Sequence, residues 1–177
     1  ERLQKGRLFF NEKNISNFTI DQRVQSHITY LPQEPSIFQE LSVADNIQAV
    51  FELNPDHSRD ECHEKTEALL KTFQLTHLKT QKGSNLSGGE RRRTEIARAM
   101  ACQPKLLLMD EPFAGIDPIA IDGLKTLIKQ VSQQGVAVLI TDHNVKETLS
   151  LCDRAYMLYK GQCIAEGTEQ YLIKHQQ

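Results

Sequence analysis

Three places in the sequence end an apolar run in residues suited to polyphosphate chemistry. The first is Leu106-Leu107-Leu108-Met109-Asp110-Glu111-Pro112, where two carboxylates stand side by side after the run. One carboxylate suffices for a magnesium ion, which keeps most of its waters, and a second can polarise an attacking water. Asp110 is therefore the candidate magnesium residue and Glu111 the candidate general base. Taken alone, the pair could equally open a solvated loop. The second place is the run 136–141 followed by Asp142-His143. A histidine just past a buried strand can reach a terminal phosphate, although a lone histidine more often serves structure. The third is Tyr30-Leu31-Pro32-Gln33-Glu34. The amide oxygen of Gln33 could ligate magnesium or position water; by itself, a polar residue after proline reads as loop.

A fourth feature is Leu86-Ser87-Gly88-Gly89-Glu90, at the start of an expected helix over 90–101. Ser87 and Glu90 have the spacing of a capping box. That box does not account for two glycines, each costing a helix roughly 1 kcal/mol against alanine. Bare backbone at a helix start does offer amide hydrogens and a positive dipole end to an anion. Ser87, Gly88 and Gly89 are thus candidate phosphate-binding residues. Arg91-Arg92-Arg93 add positive charge there, with a solvated arginine face as the default for each one separately.

These residues need elements to bring them together. The pattern predicts a strand over 7–10, a turn over 11–17, a short helix over 19–26 and a strand over 28–31 ended by Pro32. Ser42 with Asp45 and Ser58 with Glu61 then start two helices, the first with Val43, Ile47 and Phe51 at helical spacing, the second with Ala68, Leu69 and Phe73 on one side. After a polar connection over 80–85 and the helix 90–101 the pattern changes. Short continuous apolar runs at 106–109 and 136–141 read as strands buried on both faces. Helices over 119–131 and 145–151, strands over 155–159 and 162–165, and a closing helix over 169–175 complete the chain. Strands alternating with helices argue for an α/β fold with a mostly parallel sheet. The helix-only block over 41–102 reads as an inserted subdomain. In open α/β sheets ligands bind beyond the carboxyl ends of the strands, which would gather Gln33, Asp110, Glu111 and His143 at one edge.

The bulk numbers narrow the function classes. With 21 Lys and Arg against 23 Asp and Glu, the net charge of −2 gives no basic bias toward nucleic acid. Four cysteines lie far apart, without a CxxC pair, and read as free thiols in a reducing compartment. The six histidines show no zinc spacing. No run approaches the roughly 20 apolar residues of a membrane span.

Taken in order, Gln33 in YLPQE, LSGGERRR, LLLMDEP, Gly115-Ile116-Asp117 and the histidine of ITDH resemble the Q-loop, signature, Walker B, D-loop and H-loop of the ABC ATPase family. Within it, YLPQEPSIFQELSV, LSGGERRRTEIARA, DEPFAGIDPI and VLITDHNVKETL resemble most the ATPases of lipopolysaccharide export. The resemblance implies a P-loop NTPase (RecA-like) core, split as 1–35 and 104–177, around a helical signature subdomain at 36–103. It implies ATP and Mg2+ as ligands, with Asp110 and Gln33 on the metal, Glu111 orienting water and His143 on the γ-phosphate. Each ATP would lie between one copy and Ser87, Gly88 and Gly89 of a second copy, with Asp117 linking the two sites. It further implies two membrane-spanning partner subunits, contacted through Phe38, at the cytoplasmic face of the inner membrane. Gln39-Glu40 depart from the basic residues expected beside that contact. No G-x-x-x-x-G-K-[ST] loop occurs in these residues. The beginning at Glu1 and the stop soon after Tyr171-Leu172 read as truncations. The 177 residues by themselves are therefore expected to bind ATP weakly and to hydrolyse none. The alternatives are an ABC ATPase acting on DNA or ribosomes, and a non-catalytic cassette remnant that still docks partners.

Overall fold

The structure is a computed structural model and describes residues 5–174. Its elements run β1 (Phe9–Phe10), β2 (Lys13–Asn14), α1 (Ile20–Gln25), β3 (Ile28–Leu31), α2 (Val43–Glu52), α3 (Arg59–Thr72), α4 (Gly88–Ala101), β4 (Leu106–Asp110), α5 (Pro118–Gln133), β5 (Ala137–Thr141), α6 (Val145–Leu149), β6 (Ala155–Tyr159), β7 (Gln162–Gly167) and α7 (Glu169–Lys174). Short 3-10 turns at Thr76–Leu78 and Gly83–Asn85 join α3 to α4. The expected end of the last helix at residue 175 lies outside the described residues.

The centre is a three-stranded parallel sheet in the order β3-β4-β5. Its register sets Leu31 beside Met109, Met109 beside Ile140, and Asp110 beside Thr141. All three carboxyl ends therefore open on one edge. Leu107 and Met109 face α4 and α5 and are almost wholly buried, in one apolar cluster with Leu31, Ile96, Leu124 and Ile128. Side chains alternate across a strand, so Tyr30, Leu108 and Leu139 form a row on the opposite face. Tyr30 and Leu139 are 56% and 52% exposed there. The expectation of strands buried on both faces is corrected: among the described residues, α4 and α5 cover one face only.

The first and last strands stand apart from this sheet. β1 pairs antiparallel with β2, inside the stretch read as a turn. β6 and β7 form their own antiparallel hairpin with a register shift at Met157/Leu158.

The helical block is set by its caps. Ser42, Ser58 and Ser87 each accept the N–H of the third helical residue. At Ser58 and Ser87 the glutamate at that position reaches back to complete a capping box. On α3 the inward line is Cys62, Thr66 and Leu70, followed by Phe73; Leu69 packs against the same core while partly buried, and Ala68 is exposed. The Thr66 hydroxyl satisfies itself on the Cys62 carbonyl at 2.7 Å, which lets a polar residue occupy the apolar line. The core is continuous between the block and the sheet, from Val43 and Ile47 through Ile96 to Leu107.

Candidate functional site

The strand ends bring the expected residues together. Pro32 stops β3, and Gln33 beyond it donates its amide nitrogen to Glu111 Oε2 at 2.8 Å. His143, past the end of β5, places Nδ1 3.4 Å from the same oxygen. Asp110 ends β4, and each of its carboxylate oxygens has a neighbour-strand donor: Thr141 Oγ1 at 2.5 Å and Tyr30 Oη at 3.2 Å. Gln33, Asp110, Glu111 and His143 thus share one small region. Glu111 holds its geometry at a cost. Its φ is 43°, a left-handed conformation that L side chains rarely adopt, and its N–H bonds to the Thr141 carbonyl at 2.8 Å. Such strain persists where the surroundings over-determine it. The bond to β5 turns the chain so that adjacent carboxylates serve different partners.

Arg92 joins this edge to α4. It is 5% exposed, which corrects the reading of a solvated arginine. Arg92 Nη1 donates to the Pro32 carbonyl at 2.9 Å and to Glu95 Oε2 at 3.1 Å, and Nη2 donates to the Asp110 carbonyl at 3.0 Å. Glu95, also buried, accepts the Ser36 N–H at 2.7 Å. A buried charge is tolerable when paired and hydrogen-bonded, and this pair fixes the chain after β3 against the end of β4. Sequence reading missed Arg92, Tyr30 and Thr141. The available signal for Arg92 was its place on the buried line Gly89-Arg92-Ile96 of α4.

The signature segment looks elsewhere. Helix α4 begins at Gly88, two residues before the expected start, so both glycines lie in its first turn. A Cβ on Gly88 would stand 3.0 Å from the Gly115 carbonyl oxygen, and one on Gly89 would stand 3.0 Å from Ala120 Cβ. The chain's own packing against 115–120 thus supplies a second reason for glycine here. Ser87 is exposed; its hydroxyl and N–H both donate to Glu90 Oε2, at 2.7 and 2.8 Å. Those bonds, the hydroxyl first, hold the Glu90 carboxyl below its ordinary range. Asp117 caps α5, accepting the N–H groups of Ile119 and Ala120 at 3.0 and 3.1 Å, ahead of Pro118 at the first turn.

Phe38 lies apart from both regions, on the loop before α2, and is 55% exposed. Asn46, fully buried, clamps its backbone by accepting the Phe38 N–H and donating to the Phe38 carbonyl, at 2.8 and 2.9 Å. The ring stacks under the Arg98 guanidinium at 5.1 Å. Glu40 pairs with Lys82 at the surface, which offsets its charge locally.

Among the described residues, no group of three or more His, Cys, Asp and Glu side chains is placed to hold a metal, and no helix is long and apolar enough to cross a membrane. The family described as ABC transporter matches residues 1–114. The lipopolysaccharide export system ATP-binding protein LptB of Haemophilus influenzae is 44% identical over 176 residues, covering 99% of this chain and 73% of that protein. The chain belongs to the ABC transporter family. The cassette is 45% identical to LptB of Escherichia coli K12 over 169 residues, covering 96% and 70% of the two chains. Its fold matches MJ1267, an ATP-binding cassette of an ABC transporter, with a TM-score of 0.85 at 30% identity over 97% of this chain and 72% of that one. The expected α/β P-loop NTPase class is thereby confirmed, and the cassette is an ATP-hydrolysing subunit of a transporter.

Proposed function

We propose that this cassette powers lipopolysaccharide export from the cytoplasmic face of an inner membrane, as one of two copies beneath two membrane-spanning subunits. The observation that supports the chemistry is the convergence of Gln33 and His143 on one carboxylate oxygen of Glu111. The cargo rests on likeness to relatives named for lipopolysaccharide export, 44% to 46% identical over nearly the whole chain.

The donors at the strand ends suit magnesium. Asp110 and the amide oxygen of Gln33 are hard oxygen ligands at the ends of neighbouring strands, and one or two such groups suffice for an ion that keeps its waters. When bound, the ion would neutralise charge on the phosphates. Glu111 would orient a water and accept its proton as oxygen attacks the terminal phosphorus and the bond to the bridging oxygen breaks. The His143 ring, mostly exposed beside Glu111, would contact that phosphate. Ser87, Gly88 and Gly89 of a second copy would close the site, an arrangement two-fold symmetry repeats, with Asp117 linking the halves. We divide the chain into core segments 1–35 and 104–177 and a signature block 36–103. Closure would move that block and, through Phe38, the membrane subunits.

The test is ATP-driven release of lipopolysaccharide from proteoliposomes holding the full-length protein with its co-purifying membrane subunits. The expected result is release that stops in Glu111→Gln. A protein that co-purifies with no membrane subunit and binds DNA in a salt-dependent way would contradict the reading and favour an ATPase acting on nucleic acid.

A further inference from the structure

The His143 ring has little to hold it. It is 77% exposed, and its polar neighbours are Glu111 at 3.4 Å and Asp142 at 3.9 Å. Its position is therefore set by its backbone, and that backbone is tied to α6. Asn144 N–H bonds to Asp142 Oδ1 at 2.7 Å, Val145 N–H bonds to the His143 carbonyl at 3.0 Å, and Asn144 caps α6. Residues 142–149 thus move as one piece. Yet α6 has five residues and buries only Leu149. A helix that short has no stability of its own.

What pins α6 comes from α5. Lys125 pairs with the Glu147 carboxylate and donates to Ser150 Oγ at 3.0 Å. Ser150 Oγ in turn donates to the Glu147 carbonyl at 2.9 Å. The ammonium therefore grips the last turn of α6 at two points. The pair is shielded, with side chains 16% and 24% exposed, unlike the Arg154–Glu166 surface pair at 59% and 53%. Shielding matters because exposed pairs contribute little. Lys125 also holds the Glu147 carboxyl below its ordinary range. Because α5 starts at the Asp117 cap, the same strut joins the segment at 115–117 to the one carrying His143.

We propose that Lys125 is a positioning residue for His143, acting through Glu147 and α6. The proposal rests on the reading of His143 as a phosphate contact, and the experiment separates the two. In the full-length protein, Lys125→Met lowers kcat by roughly tenfold, since displacements of about 1 Å cost up to 10²-fold. The KM for ATP stays within about twofold, because the strut binds no nucleotide. In a His143→Ala background the same substitution has no further effect. The 1H–13C NMR signals of the His143 ring, read without nucleotide, shift in Lys125→Met. They return toward wild type in the exchange of charges Lys125→Glu with Glu147→Lys, which also recovers kcat. An equal fall in kcat in both backgrounds, or unmoved ring signals, overturns the proposal. If Lys125→Met does not fold, the charge exchange decides: wild-type ring signals uphold the strut, and a folded exchange with displaced signals refutes it. If His143→Ala keeps wild-type turnover while the ring signals shift as expected, the phosphate-contact reading fails and the strut stands.

Discussion

The strand-end cluster and the start of α4 differ in what their neighbours explain. Glu111 meets Gln33 at 2.8 Å and His143 at 3.4 Å, contacts that add no apolar packing. Glu111 even takes a left-handed φ to reach its place. Gly88 and Gly89, by contrast, pack closely on Gly115 and Ala120, so the chain's own architecture already favours their smallness. Polar side chains that converge without contributing packing point to chemistry. A glycine that admits a neighbour points first to packing, and its ligand role needs separate proof.

That contrast can be broken at its joint. Arg92 stands on α4 yet bonds to the carbonyls of Pro32 and Asp110. Replacing it in Arg92→Met leaves Glu95 buried without its partner, and a broken buried pair costs about 3–5 kcal/mol. Urea denaturation checks this, and a loss under about 1 kcal/mol would show the two regions to be independent. His143→Ala should lower turnover by about 10²-fold, or about 2.7 kcal/mol, while an exposed side chain leaves stability within about 0.5 kcal/mol. Gly88→Val should do the opposite first, lowering stability by about 1–3 kcal/mol through contact with the Gly115 carbonyl oxygen. Unchanged stability there would return the glycine to a ligand role alone. The smallest effect is Ser87→Ala, about 1 kcal/mol for a lost cap. It carries a pH signature. The Glu90 carboxyl is depressed in the fold by its bonds to Ser87, so its contribution is complete above the unfolded carboxylate value. It is lost as pH falls through the lower folded value. Ser87→Ala should therefore weaken the protein near neutrality and flatten the acid limb of its stability curve.

Much of this was legible because punctuation and chemistry coincide. β3 ends where Pro32 forbids another ladder bond, and β4 ends where apolar residues give way to Asp110 and Glu111. Ser42, Ser58 and Ser87 mark their helices because short hydroxyls cap, and at Ser58 and Ser87 a glutamate answers. What stayed hidden depended on neighbours distant in sequence. Arg92 resembled its half-buried companions Arg91 and Arg93, since carbonyls 18 and 60 residues away distinguish it. Glycines discouraged an early start for α4 because their cost is local and the compensating contact with 115–120 is not.

The account depends most on Glu111, and full-length Glu111→Gln tests it with two readings on one sample. The substitution keeps the side chain's shape and removes its charge. Steady-state ATP turnover should fall by on the order of 10³-fold, with ATP binding and the melting temperature unchanged. Turnover within a few-fold of wild type would contradict the assignment of Glu111 as the base at which the strand ends converge.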